Sequence, residues 1–177
     1  MARAKPGART FPALDFISHS PDQTRRVGRR LGQHARGRDL FFLSGSFGAG
    51  KTVLAQGLAA GLGVAGGVSS PSFTLVNEYA GRDGDGRPVR LYHVDLYRLE
   101  DPAALDTVGL GEYFAAPDGV CVVEWPEHLG AYGDDEHVLV TIGAVSETKR
   151  RLTFTPRGDR YADLLGELKA EAFGVER

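Results

Sequence analysis

The sequence has few of the features that mark secreted or membrane proteins. Cysteine occurs once, at Cys121, so no disulfide can form within the chain. The residues that follow Met1, ARAKPGART, lack the apolar core of a signal peptide. No apolar run approaches the roughly 18 residues that are needed to span a bilayer. We therefore expect a cytoplasmic protein.

A large excess of charge of either sign is also missing. The 177 residues carry 21 Lys and Arg against 23 Asp and Glu, which gives a formal net charge of -2. This balance provides no electrostatic attraction to nucleic acids or membranes, although it does not exclude an RNA partner. The length predicts one domain over residues 1–177, with about nine residues at the amino terminus and the last few residues disordered.

Hydrophobic periodicity in the first third of the chain predicts two strands and two helices. Residues 10–19 alternate as an edge strand does, and Ser20, Pro21 and Gln23 form a helix start of capping-box type. The run DLFFLSG, residues 39–45, is typical of a buried strand. The first helix repeats apolar residues at Val27, Leu31 and Ala35, and the second at Leu54, Leu58 and Leu62 before a stop at Gly63. The other faces of the first helix carry Arg25, Arg26, Arg29 and Arg30. These arginines form either a solvated helix surface or a binding patch.

The remaining two thirds predict two β-hairpins, a buried strand and two helices. FTLVNEYAG and RPVRLYHVD flank the turn RDGDG, and HVLVTIGAV and KRRLTFTPR form a second antiparallel pair. GVCVVEW, residues 119–125, is another buried strand. Asp101 and Pro102 indicate a helix start. The apolar face of the last helix is formed by Tyr161, Leu164, Leu165 and Leu168.

The stretch GSFGAGKT, residues 45–52, matches the phosphate-binding pattern G-x-x-x-x-G-K-[ST]. Its glycines let consecutive N–H groups surround phosphate oxygens, Lys51 reaches the outer phosphates, and the Thr52 hydroxyl can bind Mg²⁺. A buried strand precedes the loop and an amphipathic helix follows it, which is the context that such a site requires. We predict that nucleotide is bound by Gly45, Ser46, Phe47, Gly48, Ala49, Gly50, Lys51, Thr52 and Val53.

The fold class that follows is α/β. We expect a single P-loop NTPase domain in which helices flank a mixed β-sheet and the hairpins supply antiparallel strands. In sheets of this kind ligands bind at the carboxyl ends of the parallel strands.

Two acidic residues end apolar runs and are candidates for the acid that such a site needs, Asp95 and Glu124. Glu124 ends the more purely apolar run, although it could be an exposed strand end. Asp95 could instead form an ion pair with Arg98 or cap a turn. His93 is predicted to be packed or hydrogen-bonded rather than a catalytic base.

The residues alone leave three functional classes open. The absence of an N-K-x-D motif argues against a small GTPase, and the absence of an L-S-G-G-Q-like motif argues against an ABC-type ATPase. A P-loop ATPase and a small-molecule kinase both fit, the kinase using residues 95–98 for its substrate. A nucleotide-gated binding module is the third class, because no histidine is evidently placed as a general base.

Four motifs occur in one order along the chain: GSFGAGKT, SSPSFTLVNEY, YHVDLYRLEDPAAL and VVEWPE. Their combination resembles the TsaE (YjeE) family, bacterial ATPases of tRNA threonylcarbamoyladenosine synthesis, over residues 24–127. The resemblance implies ATP and Mg²⁺ as cofactors and TsaD and TsaB as partners. It implies that hydrolysis, slow without those partners, supports modification of adenosine 37 in tRNAs that read A-starting codons. Contact with tRNA is then only indirect.

The resemblance also implies roles for individual residues. Lys51 and Thr52 serve phosphate and Mg²⁺, Glu124 binds the metal directly or through water, and Asp95 lies near the γ-phosphate or its attacking water. The catalytic set is thus Lys51, Asp95 and Glu124, and the metal set is Thr52 and Glu124. Thr24 matches a threonine near the nucleotide base. The family places Trp125 close to the site, although it could instead be a packing anchor. A switch-like loop, residues 69–76, contains Ser70, Pro71, Ser72 and Thr74, and Tyr79 lies with Thr74 at its far side.

Two departures from the family pattern bear on the site. Ser46 and Phe47 stand where members commonly have Asp and Leu, so a carboxylate beside the phosphates is missing and we expect nucleotide affinity or metal dependence to differ. Ser72 stands in place of threonine and keeps the hydroxyl. Residues beyond about 138 match little, and no function is assigned to them.

Overall fold

The computed structural model describes residues 11–71 and 74–173 and contains one seven-stranded sheet. The strands are β1 (Leu14–Ser18), β2 (Leu40–Ser44), β3 (Val76–Arg82), β4 (Pro88–Asp95), β5 (Gly119–Glu124), β6 (His137–Ala144) and β7 (Arg150–Arg157). Their order across the sheet is β1-β7-β6-β2-β5-β4-β3. The α/β class with a mixed sheet is therefore confirmed. The termini for which disorder was predicted lie largely outside the described residues.

Five helices and two 3₁₀ turns accompany the sheet in the described residues. They are α1 (Pro21–His34), α2 (Lys51–Gly61), α3 (Ala104–Thr107), α4 (Leu110–Ala115), α5 (Asp159–Phe173) and the turns Pro126–His128 and Gly130–Asp134. Ser20 caps α1 as predicted, accepting a hydrogen bond from the Gln23 N–H at 3.2 Å. None of the helices in the described part of the chain is long and apolar enough to cross a membrane.

The helix predicted after Asp101 and Pro102 is instead two short helices. Gly109 separates α3 from α4 and has a φ of +70°, a left-handed conformation that ends the first helix and precedes the second. A glycine inside an apolar pattern is compatible with a continuous helix, so the pattern did not reveal the break.

Four parallel strands form the centre of the sheet. β6 and β5 flank β2, and β4 lies beyond β5, all four running in the same direction. Antiparallel pairs of β6 with β7 and of β4 with β3 confirm the two predicted hairpins, and β1 is the predicted edge strand. The carboxyl ends of the four parallel strands therefore meet at one edge of the sheet.

Alternating side chains divide the interior into two cores. Phe41 and Leu43 of β2 join residues of α1, α2 and α5 in one core, whereas Phe42 joins residues of α3 and α4 in the other. Val122 of β5 faces the first core and Val123 faces the second. Glu124 follows in this alternation, so it faces the side of α2.

Helices α1 and α2 make backbone contact through two pairs of glycines. A Cβ atom on Gly32 would lie 2.1 Å from the carbonyl oxygen of Leu58, and a Cβ on Gly57 would lie 2.2 Å from that of Arg25. Gly28 and Gly61 meet the opposite backbone in the same way. Any side chain at these positions would force the helices apart, so the glycines fix the position of α2 in the fold.

We expect Gly32→Ala to lower the free energy of unfolding by about 2 kcal/mol or more, because overpacking against a rigid backbone cannot be relieved by a side-chain rotation. Gly166→Ala is the matched control: this glycine lies in α5, and a Cβ added there would meet no side chain and no other element of the described chain within 4 Å. The control should gain roughly 0.5–1 kcal/mol from helix propensity. Urea unfolding measures both, and equal stability of the two variants would contradict the close helix contact.

Candidate functional site

The glycine-rich loop, residues 45–52, connects the end of β2 to the start of α2. Gly48 and Gly50 have φ values of +75° and +111°, which residues with a Cβ atom rarely adopt. Gly50 precedes the first turn of α2 and makes no side-chain capping bond. The loop therefore presents backbone N–H groups at the positive end of the α2 dipole, an arrangement suited to phosphate oxygens.

Glu124 and Asp95 end two neighbouring parallel strands at this same edge. The two residues pair directly in the register of β5 with β4. The Thr52 hydroxyl in the first turn of α2 donates to Glu124 Oε1 at 3.0 Å. The structure thus brings together the predicted metal residues, Thr52 and Glu124, and sets Asp95 beside them.

The Glu124 carboxylate is buried and has a second hydrogen-bond partner. Glu124 is 3% exposed and His93 is 0% exposed. His93 Nε2 lies 2.8 Å from Glu124 Oε1. The prediction that His93 is a hydrogen-bonded histidine is confirmed.

Asp95 is bound by two donors. Its Oδ2 accepts a hydrogen bond of 2.5 Å from the Ser70 hydroxyl, and its Oδ1 accepts one of 3.0 Å from the Tyr97 N–H. The bond to Tyr97 is the turn cap that was one alternative for this residue. The bond to Ser70 connects the carboxylate to the segment for which a switch-like role was predicted.

Lys51 is buried against its own loop. Its ammonium donates to the carbonyl oxygens of Gly45 at 2.6 Å and Ser46 at 2.9 Å, and the residue is 5% exposed. Burial lowers the pKa of Lys51, and the carboxylates of Glu124, Glu127 and Asp95 oppose that shift. The nearby carboxylates thus favour the charged form, which is the form that binds phosphate.

Three aromatic rings form a row at the loop: Phe47 within it, then Tyr97 and Trp125. Ring centroids are 5.6 Å apart for Phe47 and Tyr97 and 5.0 Å apart for Tyr97 and Trp125. The Lys51 ammonium lies 4.0 Å from the Trp125 centroid, within range of a cation–π interaction. Trp125 has a φ of +61°, an uncommon conformation for a bulky residue. The chain therefore turns sharply after Glu124, where the ring covers Lys51.

A cleft of about 920 Å³ lies between the loop and the segment that follows β4. The cleft is lined by residues 47–53, from the loop and the first turn of α2, by Glu124 and Trp125, and by residues 97–101. Ser70, Pro71 and Asp95 also line it. Gly45 and Ser46 do not line the cleft, but their carbonyl groups hold Lys51.

Some of the predicted site residues lie elsewhere. Thr24 is 3% exposed, and its hydroxyl lies 2.8 Å from that of Ser18, so the structure does not bring it to the cleft. The Thr74 hydroxyl contacts Asn77 at 3.1 Å. Ser72 lies outside the described residues.

Sequence reasoning assigned no role in the site to Glu127 or to the cleft residues 99–101. Glu127 accepts a hydrogen bond of 2.5 Å from Ser44, at the end of β2 just before the loop. The Pro126–His128 turn brings this carboxylate back towards the loop. An acid three residues after Glu124, next to a proline, was the only available signal. Residues 99–101 have no repeating pattern that could have indicated their place in the cleft.

The oxygen groups at this edge fit Mg²⁺ when it is bound together with a nucleotide. In residues 11–71 and 74–173, no three His, Cys, Asp or Glu side chains form a group that could hold a metal ion by themselves. Mg²⁺ in phosphate-transfer sites takes one or two protein oxygens, and phosphate and water complete its coordination. The Thr52 hydroxyl and the Glu124 carboxylate, with their oxygens adjacent, match that requirement.

Comparisons of the sequence with a family model and with known proteins point to the same family. Residues 18–152 match the family model of the threonylcarbamoyl adenosine biosynthesis protein TsaE. The tRNA threonylcarbamoyladenosine biosynthesis protein TsaE of Bacillus subtilis is 38% identical over 155 residues, 88% of this chain and 93% of the relative. The protein of the same name from Streptomyces coelicolor is 40% identical over 143 residues, 78% of this chain and 93% of the relative.

A solved structure supports the same relationship. The crystal structure of YdiB from Bacillus subtilis superposes with a TM-score of 0.74 at 32% sequence identity. The match covers 93% of this chain and 99% of that chain. The similarity therefore extends over most of the chain.

Trp125 is the only tryptophan, so its emission reports on this site. We expect saturable changes in emission when ATP is added, because phosphate oxygens compete for the Lys51 ammonium that contacts the ring. Lys51→Met should weaken the apparent affinity about tenfold or more, the loss expected for a charge-assisted hydrogen bond. Lys169→Met, on the exposed side of α5, is the control. An unchanged ATP response in Lys51→Met would contradict the assignment of the loop.

Proposed function

The chain belongs to the TsaE family of tRNA threonylcarbamoyladenosine biosynthesis, and from that premise we propose that it is a Mg²⁺-dependent ATPase that acts with TsaD and TsaB in the cytoplasm. Its hydrolysis supports threonylcarbamoyl modification of adenosine 37 in tRNAs that read A-starting codons. The main support for the proposal is that Thr52, Glu124 and Asp95 lie together beside the phosphate loop. Contact with tRNA occurs only through the complex.

The residues of the cleft have different roles in ATP hydrolysis. The N–H groups of the loop and the Lys51 ammonium bind the phosphates, and Thr52 and Glu124 hold Mg²⁺. When bound, Mg²⁺ neutralises charge on the β- and γ-phosphates. Asp95 orients the attacking water, because its carboxylate lies next to Glu124 and lines the cleft.

The hydrogen bonds of Asp95 support slow hydrolysis by the isolated protein. Each carboxylate oxygen already accepts one hydrogen bond, from Ser70 and from the Tyr97 N–H. Each carboxylate oxygen can accept more than one hydrogen bond, but a water that approaches Oδ2 from the side of Ser70 must compete with that hydroxyl. A partner that moves the switch-like loop would remove this competition, which gives TsaD and TsaB a physical route to stimulation.

A small-molecule kinase is the alternative, and the extent of the cleft favours it as the second candidate. The cleft continues beyond the phosphate loop to Leu99, Glu100 and Asp101. These residues leave space in which an acceptor could lie opposite the phosphates. Transfer of the γ-phosphate to an added metabolite, rather than to water, would support this alternative.

We expect phosphate release from Mg²⁺-ATP to be slow for the purified chain and to rise when TsaB and TsaD are added together. Lys51→Ala should abolish both rates, because the γ-phosphate loses its cationic partner. Phosphate release is measured with each partner alone and with both. Release that ignores the partners would contradict the proposed place in tRNA modification and leave the phosphate site intact. Binding of ATP without release under any condition would indicate a binding module.

Asp95 and Glu124 should have separable roles. Asp95→Asn is expected to lower the partner-stimulated rate by about 10²-fold or more, the usual contribution of a general base, and to keep Mg²⁺-ATP affinity. Glu124→Gln should instead raise the Mg²⁺ concentration needed for tight nucleotide binding. Calorimetric titration and phosphate release are compared for each variant. Loss of affinity in Asp95→Asn with an unchanged rate at saturation would reverse the assignment.

A further inference from the structure

His93 and Glu124 form a buried polar pair in an otherwise apolar part of the sheet. His93 lies on the same face of β4 as Leu91, and its register partner in β5 is Val122; both of these are core residues. An apolar side chain would pack at position 93 without the desolvation cost of an imidazole. The histidine therefore needs an explanation other than packing.

The chemistry of the two groups determines which of them donates the hydrogen bond. A carboxylate only accepts, so we assign the hydrogen of the imidazole to Nε2, which donates to Glu124 Oε1 at 2.8 Å. Thr52 donates to the same oxygen at 3.0 Å and is farther from Oε2, at 3.3 Å. Oε1 is thus held by two donors, and Oε2 has the larger remaining capacity to bind a ligand.

The other imidazole nitrogen makes no competing contact. His93 Nδ1 is buried and has no hydrogen-bond partner within the described part of the chain. The polar interaction of the ring is therefore directed at Glu124. A glutamate has three rotatable side-chain bonds, and fixing them costs conformational entropy that a preformed hydrogen bond offsets.

We propose that His93 is a positioning residue for Mg²⁺: it holds the Glu124 carboxylate so that Oε1 meets Thr52 and Oε2 is available to the metal. This inference rests on the proposed function, because it deepens the role given there to Glu124. His93 touches neither nucleotide nor metal and acts only through the carboxylate. Residues that orient a metal-binding side chain in this way typically contribute a factor of about 10–100 to metal affinity.

The test compares two amide side chains at position 93. His93→Gln can present an N–H near the place of Nε2, whereas His93→Asn has the same chemistry and is one bond too short. Calorimetry measures binding of a non-hydrolysable ATP analogue in EDTA and across a Mg²⁺ titration. We expect His93→Asn to raise the Mg²⁺ concentration for half-maximal enhancement about tenfold or more, and His93→Gln to stay within about threefold of the wild type. Affinity in EDTA should not change in either variant.

A second comparison asks whether His93 acts through Glu124. In a Glu124→Gln background, adding His93→Asn should leave the Mg²⁺ requirement unchanged, because the group it positions is already altered. Independent, additive effects of the two substitutions would overturn the proposal. Equal losses of affinity in EDTA and in Mg²⁺ would do so too, since they would indicate a structural role.

The wild-type protein supplies a measurement that does not depend on the stability of variants. Nitrogen NMR of the His93 imidazole should find the hydrogen on Nε2, and a hydrogen on Nδ1 would overturn the proposal. If Mg²⁺ fails to enhance nucleotide binding by the wild type, the proposed metal site fails and this inference fails with it. If Mg²⁺ enhances binding equally in the wild type and in His93→Asn, only the inference about His93 fails.

Discussion

The parallel, in-register pairing of β2, β5 and β4 is the constraint on which the cleft depends. Leu43 pairs with Glu124, and Glu124 pairs with Asp95, so the three strands end at one level where the phosphate loop begins. Because side chains alternate along a strand, both carboxylates face the side of α2. A shift of one strand by a single residue would turn its carboxylate to the opposite face. The apolar residues that fix the register therefore also place the acids.

This edge of the sheet contains polar groups at a depth where the rest of the protein is apolar. Glu124, His93 and Lys51 are all buried, and each makes at least one hydrogen bond to a neighbour in the site. Such groups are tolerated because their partners compensate for lost hydration. The left-handed backbone at Trp125 adds local strain at the same place. Buried polar side chains and strained backbone thus occur together around one loop. Such features are expected at functional sites, where they are retained at a cost in stability.

Much of the fold could be predicted because its signals are local. The buried strands, both hairpins, the cap at Ser20 and the phosphate loop each depend on residues close together in sequence. The strand order, with β7 between β1 and β6, depends on contacts between distant segments, as does the pairing of Ser44 with Glu127 across 83 positions. Thr24 shows a further limit: the family resemblance placed it near the nucleotide base, whereas its hydroxyl lies beside that of Ser18. The chemistry of the residues alone did not distinguish a P-loop ATPase from a small-molecule kinase. The order of four motifs along the chain was needed to favour one protein family.

The glycine contacts between α1 and α2 have a mechanical consequence. Helices whose backbones touch cannot slide or rotate past each other without a clash between main-chain atoms, so α1, α2 and the strands beneath them form a stiff unit that includes the phosphate loop. Segments 64–71 and 97–104 are built mainly of irregular chain and lie outside this unit. We therefore expect these two segments, which contribute residues to the lining of the cleft, to move more readily than the loop.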